Sequence, residues 1–346
     1  MRARLANRLW LWQCAGEHAR FLRACRRPSI AQQTLLNDYI KRNAATRFGR
    51  EHDFHKIKNT IDFIRRVPIA DWSRIEPYVR SIANDGEHQA LTAERVLFFE
   101  ETSGSTARSK WVPYTTTLRS EFQRGVCAWL HHLHRERPRA LHGPSYWSLS
   151  PALRAPARTP AGYSLGLPGD DAEYFGALTR WLLSAIFAVP GGIKRIRNPD
   201  EFYFQTLRAL LHRTDLSFIS IWSPLFLIQL HERLIALAPR LLASEHAYAP
   251  ATQSLLRTLI QNPTAVTWQQ LWPALDTVSV WQHAAAALQS ERLRAIVGPE
   301  VFIQPKGLLA TEGITSIPVR PDLDPALSLR SHFYELRNIE TNQLWN

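Results

Sequence analysis

Cysteine is scarce in this chain of 346 residues: Cys14, Cys25 and Cys127 are the whole complement. An odd number at wide spacing gives neither a disulfide framework nor a zinc motif. A reducing, cytoplasmic setting fits. Long hydrophobic runs are also lacking, and none reaches the length of a membrane-spanning helix. The N-terminal LANRLWLWQCAGEHARFLRAC is arginine-rich, but Arg8, Gln13 and Glu17 interrupt any secretory core. It reads as an amphipathic helix packed on its own domain rather than on a membrane surface. Internal repeats and low-complexity tracts are absent.

What is present is the composition of a folded protein. A hydrophobic share of 45% against 21% charged residues is that of a soluble globular chain, and the length suffices for one large domain or two ordinary ones. The net charge of +12 is uneven. Residues 1–95 hold 18 basic against 10 acidic side chains, and residues 96–346 hold 24 against 20. Such an excess suits an anionic partner, such as nucleotide, nucleic acid or an acidic metabolite, although for most of these arginines solubility is the plainer role. No nucleic-acid motif accompanies the basic third, and its charges alternate with Asp and Glu as on ordinary exposed helices. A nucleic-acid partner is therefore not expected, and a basic nucleic-acid-binding or scaffolding protein stands as a rival reading.

Two regions are expected, a helical one at 1–95 and an α/β one at 96–346. In the first, Ile30, Leu35, Leu36, Tyr39 and Ile40 recur at helical spacing. Gly49 is read as a stop, and Pro68 and Pro77 as breaks between short helices. In the second, VLFFE (Val96–Glu100) and SYWSLS (Ser145–Ser150) read as strands. Tyr174–Val189 reads as a buried helix ended at Pro190, and Arg154–Asp171 as a long loop over a site. The clearest unit is a strand at Leu216–Trp222, an N-cap at Ser223, Pro224 at the first helical position, and a helix to about Leu237. A second strand (Thr277–Trp281), a helix (Ala284–Ile296) and a third strand (Val301–Gln304) follow. Strands alternating with helices imply a mostly parallel, covered sheet.

Several short segments invite chemical readings. ETSGSTARSK (Glu101–Lys110) follows a strand with hydroxyls, one glycine and a lysine, donors that can wrap phosphate oxygens. It lacks the second glycine before Lys-Ser/Thr that a Walker loop needs, and its spacing alone fits a phosphate loop or a polar turn equally well. GYSLG (Gly162–Gly166) matches the nucleophile elbow only by chance, because neither a buried strand nor a helix flanks it. His131, His132, His134 and His142 lack a partner to complete a metal site and read as a basic, solvated helix end. GLLATEGITSIP (Gly307–Pro318) offers one carboxylate, Glu312, which matters only if it faces a phosphate and magnesium.

The order of these pieces resembles the auxin-responsive acyl-acid amido synthetase family, within the luciferase-like adenylate-forming enzymes. TRFGREHDF, FIRRVPIADWSRIEPYV and GEHQALTAERVLFFEETSGSTARSKWVPYT are similar to its N-terminal region and first nucleotide motif. FISIWSPLFLIQL, LWPALDTVSVW and GLLATEGITSIP resemble its middle segments and second motif, and HFYELR the segment after them. The resemblance runs from about residue 30 onward. It implies the large N-terminal domain of the adenylate-forming fold, with ATP and magnesium as cofactors and a carboxylic acid and an amino acid as substrates. The acid would be activated as an acyl-adenylate and then joined to the amine. Ser103, Gly104, Ser105, Thr106 and Lys110 would form the phosphate loop. Thr311 would lie near the α-phosphate and Glu312 on magnesium, with Lys110, Thr311 and Glu312 as the catalytic set. Trp281–Ala286 would lie near adenine or the acyl group, and Leu118–Leu133 along the acyl pocket. Ala107, Ala284 and Ala285 stand where the family has glycine. No Tyr-Arg-x-Gly-Asp third motif appears before Asn346, so a C-terminally truncated member without its lid domain is expected, an inactive remnant being the alternative.

Overall fold

The computed structural model describes residues 2–102, 110–147, 157–166, 177–244, 248–319, 324–341 and 343–345. The first part is helical as expected: α1 (Arg2–Arg26), α2 (Pro28–Asn43), α3 (Arg47–Glu51), α4 (Thr60–Arg66) and α5 (Trp72–Asp85). In α1 the buried positions Ala3, Asn7, Trp10, Cys14, Glu17, Phe21 and Ala24 alternate in steps of four and three, the narrow seam that packs helix on helix.

Two expected breaks are overturned. Gly49 lies inside α3, where a Cβ would sit 2.1 Å from the Asn43 carbonyl. Its role is close backbone approach, and α2 ends earlier, at Asn43. Pro77 lies inside α5 without ending it. The carbonyl it leaves unbonded belongs to Ser73, an exposed residue that water can satisfy.

The remaining elements follow in chain order: β1 (Phe98–Glu101), β2 (Trp111–Tyr114), α6 (Thr116–Glu136), β3 (Ser145–Trp147), β4 (Ala157–Arg158), β5 (Ser164–Leu165), α7 (Ala177–Ile186), α8 (Pro199–Leu211), β6 (Phe218–Ser220), α9 (Pro224–Leu242), α10 (Pro250–Gln261), α11 (Trp268–Leu271), β7 (Thr277–Val280), α12 (Ser290–Val297) and β8 (Phe302–Pro305). Short hairpins close the chain: β9 (Leu309–Ala310) with β10 (Gly313–Ile314), β11 (Ser316–Ile317) with β12 (Ala326–Leu327), and β13 (Leu336–Arg337) with β14 (Leu344–Trp345). Ser223 does cap α9 with Pro224 first in the helix, and α9 continues past Pro239 to Leu242. The helix expected from Ala284 is a 3-10 turn to Gln289 followed by α12. Of the expected strand Ser145–Ser150, Ser148–Ser150 lie outside the described residues, as do Tyr174–Gly176 of the expected helix.

The central sheet has the order β3–β6–β7–β8 and is parallel throughout. One face, with Tyr146, Ile219, Val278 and Ile303, packs on α8, α9, α10 and α12 through residues such as Phe202, Leu227, Leu256 and Ile296. On the other face, Phe218 packs under α1, α6 and α7 with Trp10, Trp129, Leu133 and Leu182. Covering on both sides is what a parallel sheet requires. A second, mixed sheet, β2–β1–β5–β4, rests Phe99 on Val79 and Ile82 of α5. Its β4–β5 pair revises the expected long loop: the described residues 157–166 form a hairpin whose β5 pairs with β1. Ser164 lies within β5, so GYSLG is no nucleophile elbow.

Candidate functional site

Ligands of parallel α/β sheets bind outside the carboxyl ends of the strands. Here the register aligns Trp147, Ser220, Ser279 and Gln304 across the four strands near that edge. They share the face beneath α6, where Trp129 Nε1 donates to Gln304 Oε1 at 3.0 Å. The Ser279 hydroxyl is buried and has no hydrogen-bond partner among the described residues.

Lys306 is the residue that sequence reading missed. Two positions past Gln304, it is only 4% exposed. Its Nζ donates to Ser220 Oγ at 2.6 Å and to the Ile221 carbonyl at 3.4 Å. The ammonium lies 3.8 Å from the centre of the Trp222 ring and 5.4 Å from that of Trp129. Among the described residues no carboxylate pairs with it, and burial pushes its pKa well below the usual lysine range. The available signal was a lysine closing a buried strand in QPKG, although only the tertiary setting shows what surrounds it.

Beyond Lys306 the chain turns through Gly307 into the β9–β10 hairpin, whose tip is Thr311 and Glu312. The structure brings this second motif onto the first. Tyr114, the last residue of β2, donates its hydroxyl to the Thr311 carbonyl at 2.7 Å. Burial, Glu100 and Glu312 together hold the Tyr114 hydroxyl above its ordinary pKa. Thr311 is half-buried and Glu312 is exposed. Lys110 is exposed, with its ammonium 5.8 Å from the centre of the Trp72 ring. Ser103, Gly104, Ser105, Thr106 and Ala107 lie outside the described residues. The residues on either side of that segment are paired, the Thr102 N–H donating to the Lys110 carbonyl at 3.0 Å.

The hairpin is braced from below. A Cβ on Gly125 of α6 would meet Ile314 at 2.7 Å, and one on Gly313 would meet His332 at 2.3 Å. The Ile314 N–H donates to His332 Nε2 at 3.2 Å, so the ring proton is on Nδ1. That nitrogen faces Glu121 at 3.6 Å, and Tyr39 donates to the other oxygen of Glu121 at 2.7 Å. Burial raises the Glu121 carboxyl to about 7, against the Tyr39 hydrogen bond and Arg124. Burial, then Arg124, lowers His332 to about 4.

Trp281 Nε1 donates to the Gly307 carbonyl at 3.2 Å, which places the segment after β7 beside the same edge. Ala284 takes φ of 53°, a left-handed conformation that a Cβ disfavours. Ala284→Gly is expected to stabilise the protein by up to about 1 kcal/mol, as read by urea denaturation.

The histidine cluster differs from its expectation as a solvated helix end. His131, His132 and His134 are half-buried, and the His131 ring lies 4.6 Å from that of His18 on α1. Among the described residues no group of three or more His, Cys, Asp and Glu could hold a metal ion. A cleft at the opposite end of the sheet is lined by Arg4, Arg137, Asp215 and Asp276. There Arg137 already forks onto Asp276 at 2.9 and 3.0 Å, whereas among the described residues no carboxylate pairs with Lys306. No helix of the described residues is long and apolar enough to cross a membrane.

Comparison with known proteins bears out the family and the fold. Residues 17–244 match the model of the GH3 family N-terminal domain. The solved structure of AtGH3.15 acyl acid amido synthetase in complex with 2,4-DB superposes with a TM-score of 0.78 over 97% of this chain, at 16% identity. A second GH3.15 acyl acid amido synthetase structure gives 0.70 over 89%, at 14% identity. The chain spans 62% and 59% of those two chains. No curated protein sequence matches it.

Proposed function

The chain belongs to the GH3 family, and from that premise we propose that the carboxyl edge of its parallel sheet holds Mg·ATP and a carboxylic acid for adenylation. In a protein of full family length, an amino acid amine then takes the acyl group as an amide. The observation that carries this reading is the Tyr114–Thr311 hydrogen bond, which seats two motifs 197 residues apart on one another. Either segment alone reads as a polar turn; the hydrogen bond brings Tyr114 and Thr311 together beside one sheet edge.

The residues present fit the nucleotide. Among the described residues, no carboxylate pairs with the buried Lys306 amine, and the buried Ser279 hydroxyl has no hydrogen-bond partner. An arriving anion supplies the charge the first lacks and an acceptor for the second. ATP, when bound, supplies the adenylyl group and the pyrophosphate leaving group. The phosphate loop Ser103–Thr106 with Lys110 and Thr311 would hold its phosphates. Glu312, a lone exposed carboxylate, suits magnesium, which takes one or two protein carboxylates and completes its shell with phosphate and water. Donors fixed in this way stabilise the charge that builds as the acid's carboxylate attacks. No protein nucleophile is required.

Lys306→Met is expected to leave stability unchanged or raise it by about 1 kcal/mol, because a buried amine with no carboxylate beside it among the described residues is replaced by an apolar chain. ATP affinity should fall at least about tenfold. Thermal unfolding and calorimetry read the two effects. The reading as a whole is tested by ATP–pyrophosphate exchange over a panel of carboxylic acids with magnesium. Exchange stimulated by one class of acid is expected; no exchange with any acid, together with no ATP binding, overturns it.

A further inference from the structure

α1 and α6 pack along a shared seam, and two thiols meet within it. Cys14 is fully buried and Cys127 half-buried, and the Cys14 thiol donates to Cys127 Sγ at 2.8 Å. The two residues are 113 positions apart, so sequence spacing gives no hint of the pair. One turn along each helix stand His18 and His131, on the same faces as the cysteines. Burial lowers His18 to about 4 and lowers His131 below its ordinary value, while the Cys127 contact and burial hold the Cys14 thiol above its own. The third cysteine, Cys25, is exposed and belongs to no such contact.

We propose that Cys14 and Cys127 form a modification site, a reversible disulfide between α1 and α6 made by a hydroperoxide. Cys127, the less buried of the two thiols, attacks one oxygen of hydrogen peroxide. The O–O bond breaks, leaving a sulfenic acid on Cys127 and one water. Cys14 Sγ then attacks the Cys127 sulfur, the S–O bond breaks, and hydroxide leaves as a second water with the Cys14 proton. Two thiols and one peroxide thus give one disulfide and two waters. Both sulfurs are oxidised and the peroxide oxygens are reduced. The bond ties the N-terminal helix to the helix that leads out of β2, and it closes a long loop in the unfolded chain.

The test uses the full chain, treated with hydrogen peroxide and then with dithiothreitol. Oxidation is expected to lower the intact mass by two hydrogens and yield a peptide pair linked through Cys14 and Cys127. The melting temperature should rise by several degrees, and dithiothreitol should reverse all three changes. Cys25→Ser should leave them intact, and Cys127→Ala should abolish them. Should Cys127→Ala fold poorly, the peptide map in the Cys25→Ser background carries the test alone. Accumulation of Cys127 sulfinic acid without the linked peptide, or a link formed only through Cys25, would overturn the proposal.

Discussion

Gly307→Ala should destabilise the protein by at least about 4 kcal/mol, far more than one added methyl group usually costs. The added Cβ would lie 2.0 Å from the Ser316 carbonyl oxygen, 2.4 Å from its carbon and 2.8 Å from the Ile317 nitrogen. All three atoms are backbone, so no side chain can rotate away. Relief requires moving β11 off the Leu308 carbonyl, to which the Thr315 and Ser316 N–H groups both donate, at 2.9 and 3.1 Å. The motif carrying Thr311 and Glu312 would shift with it. Gly162→Ala is the control. It meets nothing within 4 Å and keeps only the strain of φ +90°, so it should cost about 1 kcal/mol. Urea denaturation of the two variants compares them directly.

Glu121→Gln should stabilise the protein by about 3 kcal/mol at about pH 8 and change little at about pH 4. The carboxyl is raised from 4.5 to about 7, chiefly by burial, with Glu94 adding to the rise and Tyr39, Arg124 and Arg42 opposing it. A raised folded pKa gives stability that is present below the unfolded value and lost as pH climbs through the folded one. The wild type therefore loses stability between about pH 4.5 and pH 7, and the variant does not. Gln keeps an oxygen for the Tyr39 hydroxyl. It forfeits little at His332, because 3.6 Å is too long for a hydrogen bond. His332, lowered to about 4, acts in the opposite sense, its cost appearing as pH falls below the ordinary histidine range. Urea midpoints measured across pH for both proteins separate the two groups. Parallel curves would contradict the assignment to Glu121.

Much of the fold was legible because local rules decided it. Ser223 and Pro224 mark the start of α9, since an N-cap hydroxyl and a proline ring both suit that position. The parallel sheet followed from strands alternating with helices, with Thr277–Val280 and Phe302–Pro305 close to their expected places. Misreadings arose where tertiary contact overrode a local signal. Gly49 serves a backbone crossing rather than a stop, and Pro77 is tolerated within α5 because Ser73 is exposed.

The candidate site was half legible. Thr311 and Glu312 stood out in a run of small residues, and the Tyr114 bond seats that run on the first motif. Lys306 did not stand out, because a lysine becomes unusual only when Trp129, Trp222 and Ser220 surround it and no carboxylate of the described residues pairs with it. The Cys14–Cys127 contact escaped for a similar reason: an odd cysteine count says nothing about which pair a helix crossing brings together.

The central claim is that nucleotide binds at the carboxyl edge of the central sheet. Amide hydrogen exchange with and without Mg·ATP tests it most directly. The account predicts slowed exchange at 110–114, 281–286 and 307–314, with residues lining the opposite cleft, such as Asp215 and Asp276, unaffected. Protection confined to that opposite cleft, or no protection anywhere at saturating nucleotide, would contradict it.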